Sequence, residues 1–233
     1  MSKPRISIII PVLNEGATID KFLEYVINMS SPENISEVIV VDGGSIDETR
    51  EKVRSVKDIK LISSKKGRAR QMNAGAAHAT GQILYFIHAD SYPPQHFDHY
   101  ILKAYEKGEN AGCFRMKFDD GHPVLKFSQW FTRFNHKSCR GGDQSLFIGT
   151  EKFRELGGYN EDYIIYEDYD LISRIYKNAS FKVIPEYVTT SARRYEKNGA
   201  WKLQYHFTVI HLKKFFGAGP DELYQYYKKK VIS

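Results

Sequence analysis

Cysteine is scarce in this chain of 233 residues, which contains only Cys113 and Cys139. The two do not form a Cys-x-x-Cys pair, so the sequence offers no zinc-ribbon or dithiol motif. A chain of this length also buries a large core without a disulfide or a metal staple. We therefore expect two free thiols in a reducing compartment.

Long apolar runs are absent as well. Runs such as residues 8–13 and 38–41 are far shorter than the ~20 residues that a membrane-spanning helix needs. The first five residues show no signal-peptide pattern. The composition is 42% hydrophobic and 27% charged, which excludes a disordered or fibrous protein. We expect a globular protein of the cytoplasm.

The sequence also lacks several common nucleotide and hydrolase signatures. No G-x-G-x-x-G follows the first apolar run, and no G-x-x-x-x-G-K-[ST] is present, which argues against a dinucleotide dehydrogenase and a P-loop enzyme. A G-x-S-x-G elbow and the protein-kinase motifs are missing too.

Basic residues outnumber acidic ones, which gives the chain a net charge of +6 at pH 7. This predicts an anionic partner, but it leaves nucleic acid, a phosphorylated substrate and acidic lipid open. Basic residues cluster at 65–70, at Arg193-Arg194 and at 228–230. We interpret the last cluster as a solvated helix end.

Apolar runs alternate with amphipathic helices in the first half of the chain. Strands are predicted at 6–12, 38–41, 61–62 and 83–87, and helices at 18–29, 47–56, 67–79 and 97–107. This alternation predicts a mostly parallel α/β sheet with helices on both faces. The second half is less regular, with helices predicted at 124–134 and 166–176 and strands at 145–149 and 181–184.

Polar residues follow three of the predicted parallel strands where each strand ends. They are Asn14-Glu15, the segment 42–45 and His88-Ala89-Asp90. Ligands of such sheets bind beyond the carboxyl ends of the strands. Carboxylates and basic residues in these loops suit a ligand with a base or ribose and a diphosphate.

Six blocks carry a resemblance to a known family. They are residues 7–15, 40–47, 67–75 leading to 86–90, 142–144, 166–168 and 191–195. In this order they resemble the family 2 glycosyltransferases, and in particular the small stand-alone branch described as selenodomain-associated. The likeness runs from about residue 5 to about residue 227.

The resemblance implies one GT-A domain over residues 1–233, with a nucleotide-sugar-binding half (about 1–110) and a mixed acceptor-binding half with C-terminal helices (about 111–233). It implies inverting transfer of a hexose from a nucleotide-diphosphate sugar, with UDP favoured over GDP and Mn²⁺ or Mg²⁺ as cofactor. The acceptor would be a hydroxyl or a phosphate, and a lipid-linked acceptor is one candidate. Sugar, acceptor and oligomeric state stay open.

The family's donor site maps onto eleven residues here. Asp42 would accept hydrogen bonds from the base, although Asp42-Gly43-Gly44 also suits a tight turn. Arg68 at a helix start, and the pair Arg193-Arg194, would bind the diphosphate, with surface ion pairs as the alternative. The complete set is Pro11, Asn14, Glu15, Asp42, Gly44, Arg68, Asn73, Ala89, Asp90, Arg193 and Arg194.

Asp90 would bind the metal that bridges the phosphates, with His88 as a second candidate ligand. The family has Asp-x-Asp where this sequence has His88-Ala89-Asp90. Imidazole suits Mn²⁺ better than Mg²⁺. A structural role for His88 is equally compatible with the pattern.

Asp168 is the expected general base, with Glu167 beside it. Two carboxylates at a helix start could instead serve as caps. Gly142, Asp143 and Gln144 would line the sugar or acceptor pocket, with an ordinary turn as the alternative.

Two other functions compete with this interpretation. A nucleotidyltransferase would need a glycine-rich basic loop after the first strand, which Asn14-Glu15-Gly16 does not supply. A module for RNA or another polyanion would need exposed aromatics among basic residues, and we expect the aromatics to be core residues and no nucleic acid to bind. Residues 201–216 carry an apolar helical face; we favour packing into the core, or into an oligomer, over peripheral contact with the inner membrane face.

Overall fold

Eight strands form one sheet in the computed structural model. The structure describes residues 3–232, except for the side-chain environments of Gly142 and Ile232. The order across the sheet is β3-β2-β1-β4-β7-β6-β8-β5. Strands β1 to β4 run parallel, β7 runs antiparallel to β4 and β6, and β8 is parallel to β6. The strands are β1 Ile6–Val12, β2 Ile35–Asp42, β3 Ile59–Ser63, β4 Ile83–Phe86, β5 Ser91–Tyr92, β6 Ala111–Phe118, β7 Leu146–Gly149 and β8 Phe181–Thr190.

Ten α-helices, three single 3₁₀ turns and one π-helical turn make up the helical part of the described chain. The helices are α1 Ile19–Asn28, α2 Thr49–Ser55, α3 Arg68–Ala77, α4 Phe97–Glu106, α5 Pro123–Phe131, α6 Thr150–Glu155, α7 Glu167–Asn178, α8 Arg193–Asn198, α9 Ala200–Phe215 and α10 Pro220–Tyr227. The turns are Pro32–Asn34, Lys137–Cys139, Gly142–Gln144 and Lys228–Ile232. Between residues 3 and 232, no helix is both long and apolar enough to cross a membrane.

The core lies on both faces of the sheet, as the continuous apolar runs predict. All seven residues of β1 are buried. On one face Ile8 and Ile10 pack with α1, α2 and α4, whereas on the other Ile9 packs with α3, α6 and α7. The expected α/β architecture is therefore confirmed, and both cysteines are free thiols.

The predicted elements of the first half are present, with ends that differ by three residues at most. In the second half β8 runs on to Thr190, and Arg193-Arg194 begin the short helix α8 instead of lying in a loop. Strand β6 was not predicted, although Phe114, Met116 and Phe118 alternate with basic residues as in a strand.

The expectation that residues 201–216 pack into the core is wrong for this chain. Trp201 is 74% exposed and Phe216 is 82% exposed, and Tyr205 and Leu212 are also more than half exposed. Helix α9 instead buries Leu203 and Ile210 on its other side. The apolar periodicity identified the face of α9 that carries Trp201 and Tyr205, but the buried face is the one that carries Leu203 and Ile210.

Candidate active site

A cleft of about 970 Å³ opens at the carboxyl ends of β1 and β4, as expected for a parallel sheet. Its walls come from the loops after these strands, the start of α3, the turn before β7 and helix α8. The cleft brings together nine of the predicted residues: Pro11, Glu15, Arg68, His88, Ala89, Asp90, Asp143, Arg193 and Arg194.

Asp42 and Asn14 tie together the loops beside this cleft. Asp42 is 1% exposed and accepts hydrogen bonds from the backbone N–H groups of Gly44 (3.3 Å) and Ser45 (3.0 Å). Asn14 has a left-handed backbone (φ 56°), and its Oδ1 accepts from the N–H of Ile46 at 3.0 Å. Both side chains therefore shape the loops that a nucleotide would contact, and their contact with a base remains a prediction.

Arg68 and Glu167 form an ion pair across the cleft floor. The chain enters α7 through Tyr166 in a left-handed conformation (φ 73°), which places Glu167 and Asp168 in the first helical turn. Glu167 is 1% exposed and its Oε1 lies 3.7 Å from Nη1 of Arg68, without a hydrogen bond. Burial raises the pKa of the Glu167 carboxyl, and the Arg68 charge opposes that shift.

Asp168 has the perturbed acidity expected of a proton-transfer group. Burial, followed by repulsion from Glu167, raises the pKa of its carboxyl to about 8, although Arg68 opposes the shift. Together with His88 it lines a small hollow against the cleft floor. A carboxyl that changes charge near neutral pH is a candidate for general acid–base work.

Asp90 lies between basic and acidic neighbours at the end of β4. Nη2 of Arg193 is 3.5 Å from an Asp90 carboxylate oxygen and donates to Glu15 at 3.1 Å. Burial, followed by the Arg68 charge, lowers the pKa of His88 to about 4, so its imidazole is neutral at pH 7. A neutral imidazole near a carboxylate has the lone pair that a metal ligand needs.

The donor set at Asp90 fits a cation that arrives with phosphate. In the described part of the chain, no three His, Cys, Asp or Glu residues are grouped closely enough to hold a metal ion on their own. Mg²⁺ usually keeps several waters and takes one or two carboxylates together with substrate phosphates. Asp90 supplies one such carboxylate, and the imidazole of His88 would add a ligand that suits Mn²⁺.

A second cavity of about 870 Å³ adjoins the cleft and shares Asp143 with it. Asp143 is exposed, whereas Gln144 is 5% exposed and donates to the carbonyl of Cys139 at 2.7 Å. Arg140, which the motifs did not single out, donates to Gln144 Oε1 (2.8 Å) and to the carbonyl of Thr132 (2.7 Å). This buried guanidinium holds the turn that carries Asp143.

Asn73 lies away from the cleft. Its side chain donates to the carbonyl of Tyr159 and to Glu161, each at 2.9 Å, and accepts from the Tyr159 N–H at 2.9 Å. It therefore joins α3 to the loop before α7. Local sequence pattern could not predict this attachment, because the partners are 86 residues or more apart.

Tyr195 is a further residue that the motifs left unassigned. It lines both cavities and packs edge to face on Phe118, with ring centroids 5.2 Å apart. The sequence feature that could have identified Tyr195 as a site residue is its position directly after Arg194.

Sequence comparisons identify relatives of the chain. The family described as Glycosyl transferase family 2 matches residues 7–172. The probable glycosyltransferase YdaM of Bacillus subtilis (strain 168) is 29% identical over 200 residues, which cover 74% of this chain and 47% of that protein. A dolichyl N-acetyl-alpha-D-glucosaminyl phosphate 3-beta-D-2,3-diacetamido-2,3-dideoxy-beta-D-glucuronosyltransferase of Methanococcus voltae is 30% identical over 109 residues, or 44% of this chain and 34% of its own. The chain thus spans about half of one relative and a third of the other.

Solved structures share the fold. The mannosyltransferase PcManGT from Pyrobaculum calidifontis, in complex with GDP-Man and Mn²⁺, has a TM-score of 0.70 at 19% identity, covering 97% of this chain and 70% of its own. S. aureus TarS 1-349 in complex with UDP-GlcNAc has a TM-score of 0.68 at 20% identity, covering 80% and 58%. At such identities the likeness shows the GT-A fold alone. The match over residues 7–172, which is more than half of the chain, shows that the chain belongs to glycosyl transferase family 2.

Proposed function

We propose that the protein is a glycosyltransferase that moves a hexose from a nucleotide-diphosphate sugar to a hydroxyl or phosphate acceptor, with inversion at the sugar carbon. The supporting observation is the cleft itself, where Arg68, Arg193 and Arg194 line the same space as the carboxylates Asp90 and Asp143. Solved relatives bind GDP-Man or UDP-GlcNAc. UDP is the favoured nucleotide because of the motif resemblance.

The donor's nucleoside binds the loops after β1 and β2 in this proposal, against Pro11, Glu15 and the turn fixed by Asp42. The diphosphate lies toward the start of α3, where unpaired backbone N–H groups and the helix dipole favour an anion. Arg68 and Arg193 then offset the charge that develops on the leaving group. Arg194, stacked on the rings of Phe207 and Tyr227, closes that wall of the cleft.

A divalent cation would be held by Asp90, with the neutral imidazole of His88 as a second ligand. Bound there, Mn²⁺ or Mg²⁺ would neutralise phosphate charge and stabilise the departing nucleoside diphosphate. Arg193, which contacts Asp90 and donates to Glu15, lines the cleft beside this position and supplies positive charge for the phosphates.

Asp168 is the base in this mechanism. Its carboxylate takes the proton of the acceptor hydroxyl while that oxygen bonds to the sugar carbon, and the bond from that carbon to the phosphate oxygen breaks. Glu167 positions this residue, because its pairing with Arg68 fixes the first turn of α7. Asp143 and Gln144 border the acceptor side, where the second cavity begins.

Release of nucleoside diphosphate from a panel of nucleotide sugars tests this proposal, with water or an added alcohol as acceptor. We expect Asp168→Asn to lower turnover about 100-fold while nucleotide affinity changes little. Asp170→Asn is the matched control, because Asp170 on the same helix pairs with Arg174 instead. Full turnover in Asp168→Asn, or equal loss of binding and turnover, contradicts the assignment.

A further inference from the structure

Helices α5 and α9 expose most of the large apolar side chains found on the described surface. Nine of the twelve exposed large hydrophobic residues belong to these helices or to the residues directly after them. On the α5 side they are Phe127, Trp130, Phe131 and Phe134. On the α9 side they are Trp201, Tyr205, Leu212, Phe215 and Phe216. We call these nine residues the aromatic surface.

The two halves of the aromatic surface adjoin. Phe131 of α5 and Leu212 and Phe215 of α9 border the same second cavity. The rings of Phe127 and Phe131 meet edge to face at 5.0 Å, and Trp130 packs on Phe134 at 4.8 Å. An exposed apolar patch formed by neighbouring helices marks a binding surface, since single exposed hydrophobics are normal but clusters are not.

The charge around this surface is predominantly basic, with Glu222 at its border paired to Lys213 at 2.7 Å. Residues 121–142 and 197–220 contain eight Lys or Arg residues and no Asp or Glu. The remaining chain holds 26 of the 34 basic residues and all 28 acidic ones, so it is slightly acidic. Lys126, Arg133 and Lys202 are exposed beside the aromatic rings. Exposed basic side chains therefore border the exposed apolar side chains.

We propose that the aromatic surface docks on an anionic lipid bilayer. Phenylalanine, tryptophan and leucine enter the interface between headgroups and acyl chains, and flanking lysines meet the lipid phosphates. A second copy of this chain fits less well, because a two-fold contact would bring the exposed Lys126, Arg133 and Lys202 of one copy near the same residues of the other.

Docking also defines the acceptor class, a step that rests on the proposed function. The second cavity runs from Asp143 at the sugar-transfer cleft to Phe131 and Phe215 at the aromatic surface. Phe131, Leu212 and Phe215 line it at the aromatic surface, and Asp143, which it shares with the cleft, lines it together with Gln144. An amphipathic acceptor fits this lining, with its acyl or prenyl chain toward the bilayer and its hydroxyl or phosphate toward the cleft.

Vesicle flotation of the 233-residue chain tests the proposal. We expect flotation with vesicles of phosphatidylcholine and phosphatidylglycerol, weaker flotation as salt rises, and little with phosphatidylcholine alone. The double variant Phe215→Ser, Phe216→Ser should bind roughly ten-fold more weakly or worse, whereas Tyr100→Ser, an exposed aromatic on α4, should bind like the wild type.

Two double variants with the same change in net charge distinguish the effect of the lysines beside the aromatic surface from the effect of the overall charge of the protein. Lys126→Glu with Lys202→Glu should weaken binding to anionic vesicles roughly ten-fold, whereas Lys103→Glu with Lys107→Glu on α4 changes the net charge equally and should cost much less. Equal loss in both pairs overturns the proposal. Three other results also overturn the proposal. The first is absence of flotation at low salt, and the second is a dimer in light scattering that the Phe215→Ser, Phe216→Ser variant dissociates. The third is preferential binding of single-stranded RNA through the same residues.

The failures of the two proposals are distinguishable. Nucleotide affinity measured without vesicles should be the same in all these variants. Flotation that fails while nucleotide-sugar turnover persists removes the docking surface alone. Flotation that succeeds without turnover removes the transferase assignment alone.

Discussion

Glu167 and Asp168 are adjacent in the sequence but differ in their surroundings. Glu167 is buried beside Arg68, which opposes the rise of its pKa. Asp168 has no such close cation, and the pKa of its carboxyl rises to about 8. Burial raises the pKa of both carboxyl groups, but only Glu167 is held in an ion pair with a cation. This difference is the physical basis for assigning the base to Asp168.

The pH dependence of turnover follows from the Asp168 pKa. A base must be ionised, so kcat/KM for the donor should increase with pH and level off above an apparent pKa of about 8. Initial rates at saturating Mn²⁺ across that range give the profile. The residual activity of Asp168→Asn should lack this inflection, and an unchanged inflection would assign the titration to another group.

Stability of the ligand-free protein should show the opposite trend. Since the folded-state pKa of Asp168 is raised above its unfolded value, its stabilising contribution is complete at low pH and is lost as pH rises through about 8. The unfolding temperature of the wild type should therefore fall relative to that of Asp168→Asn between about pH 4 and pH 8 and level off above that range. Parallel curves for the two proteins would mean that Asp168 is not buried in its neutral form.

Asp90 should control the metal requirement. Asp90→Ala removes the carboxylate that the proposal gives to the cation and leaves Arg193 its contact with Glu15. We expect electron paramagnetic resonance to show Mn²⁺ bound to wild-type protein with UDP but free in Asp90→Ala. Asp221→Ala, at the exposed start of α10, is the control. Bound Mn²⁺ in Asp90→Ala would move the ligand elsewhere, first to His88.

At the scale of elements, α3 connects packing to the site. A Cβ on Gly75 would lie 2.4 Å from Cγ2 of Ile9 on β1, so only glycine lets this helix rest on the sheet. Gly75→Val should destabilise the fold by about 2 kcal/mol or more through overpacking. It should also weaken nucleotide binding, because α3 carries Arg68 in its first turn. Denaturant unfolding measures the loss, and Gly121→Val, with 3.8 Å of clearance, should change little.

Local pattern predicted the elements well where one strand and one helix follow each other along the chain. β1, α1 and β4 are examples, because a buried strand and an amphipathic helix each have their own period. Pattern failed where the partner is distant in sequence. The exposed face of α9 and the attachment of Asn73 to Tyr159 depend on which elements meet in space, and so does the side-by-side placement of Glu15, Asp90 and Arg193.

At the scale of the whole molecule, two cavities meet at Asp143 and differ in the side chains that line them. The cleft beside β1 and β4 is lined by arginines and carboxylates, whereas the second cavity ends at the aromatic surface. Acidic residues are absent from the segments that form this surface. Under the two proposals above, a nucleotide sugar would enter the cleft from water and an amphipathic acceptor would enter the second cavity from the bilayer.

The central claim is that the cleft binds a nucleoside diphosphate together with a divalent cation. Calorimetric titration of the protein with UDP and with GDP, each with Mn²⁺ and with a chelator, measures this directly. The account predicts saturable binding of one nucleotide, UDP by preference, that the chelator weakens strongly. Absence of binding to either nucleotide in the presence of Mn²⁺ would contradict it.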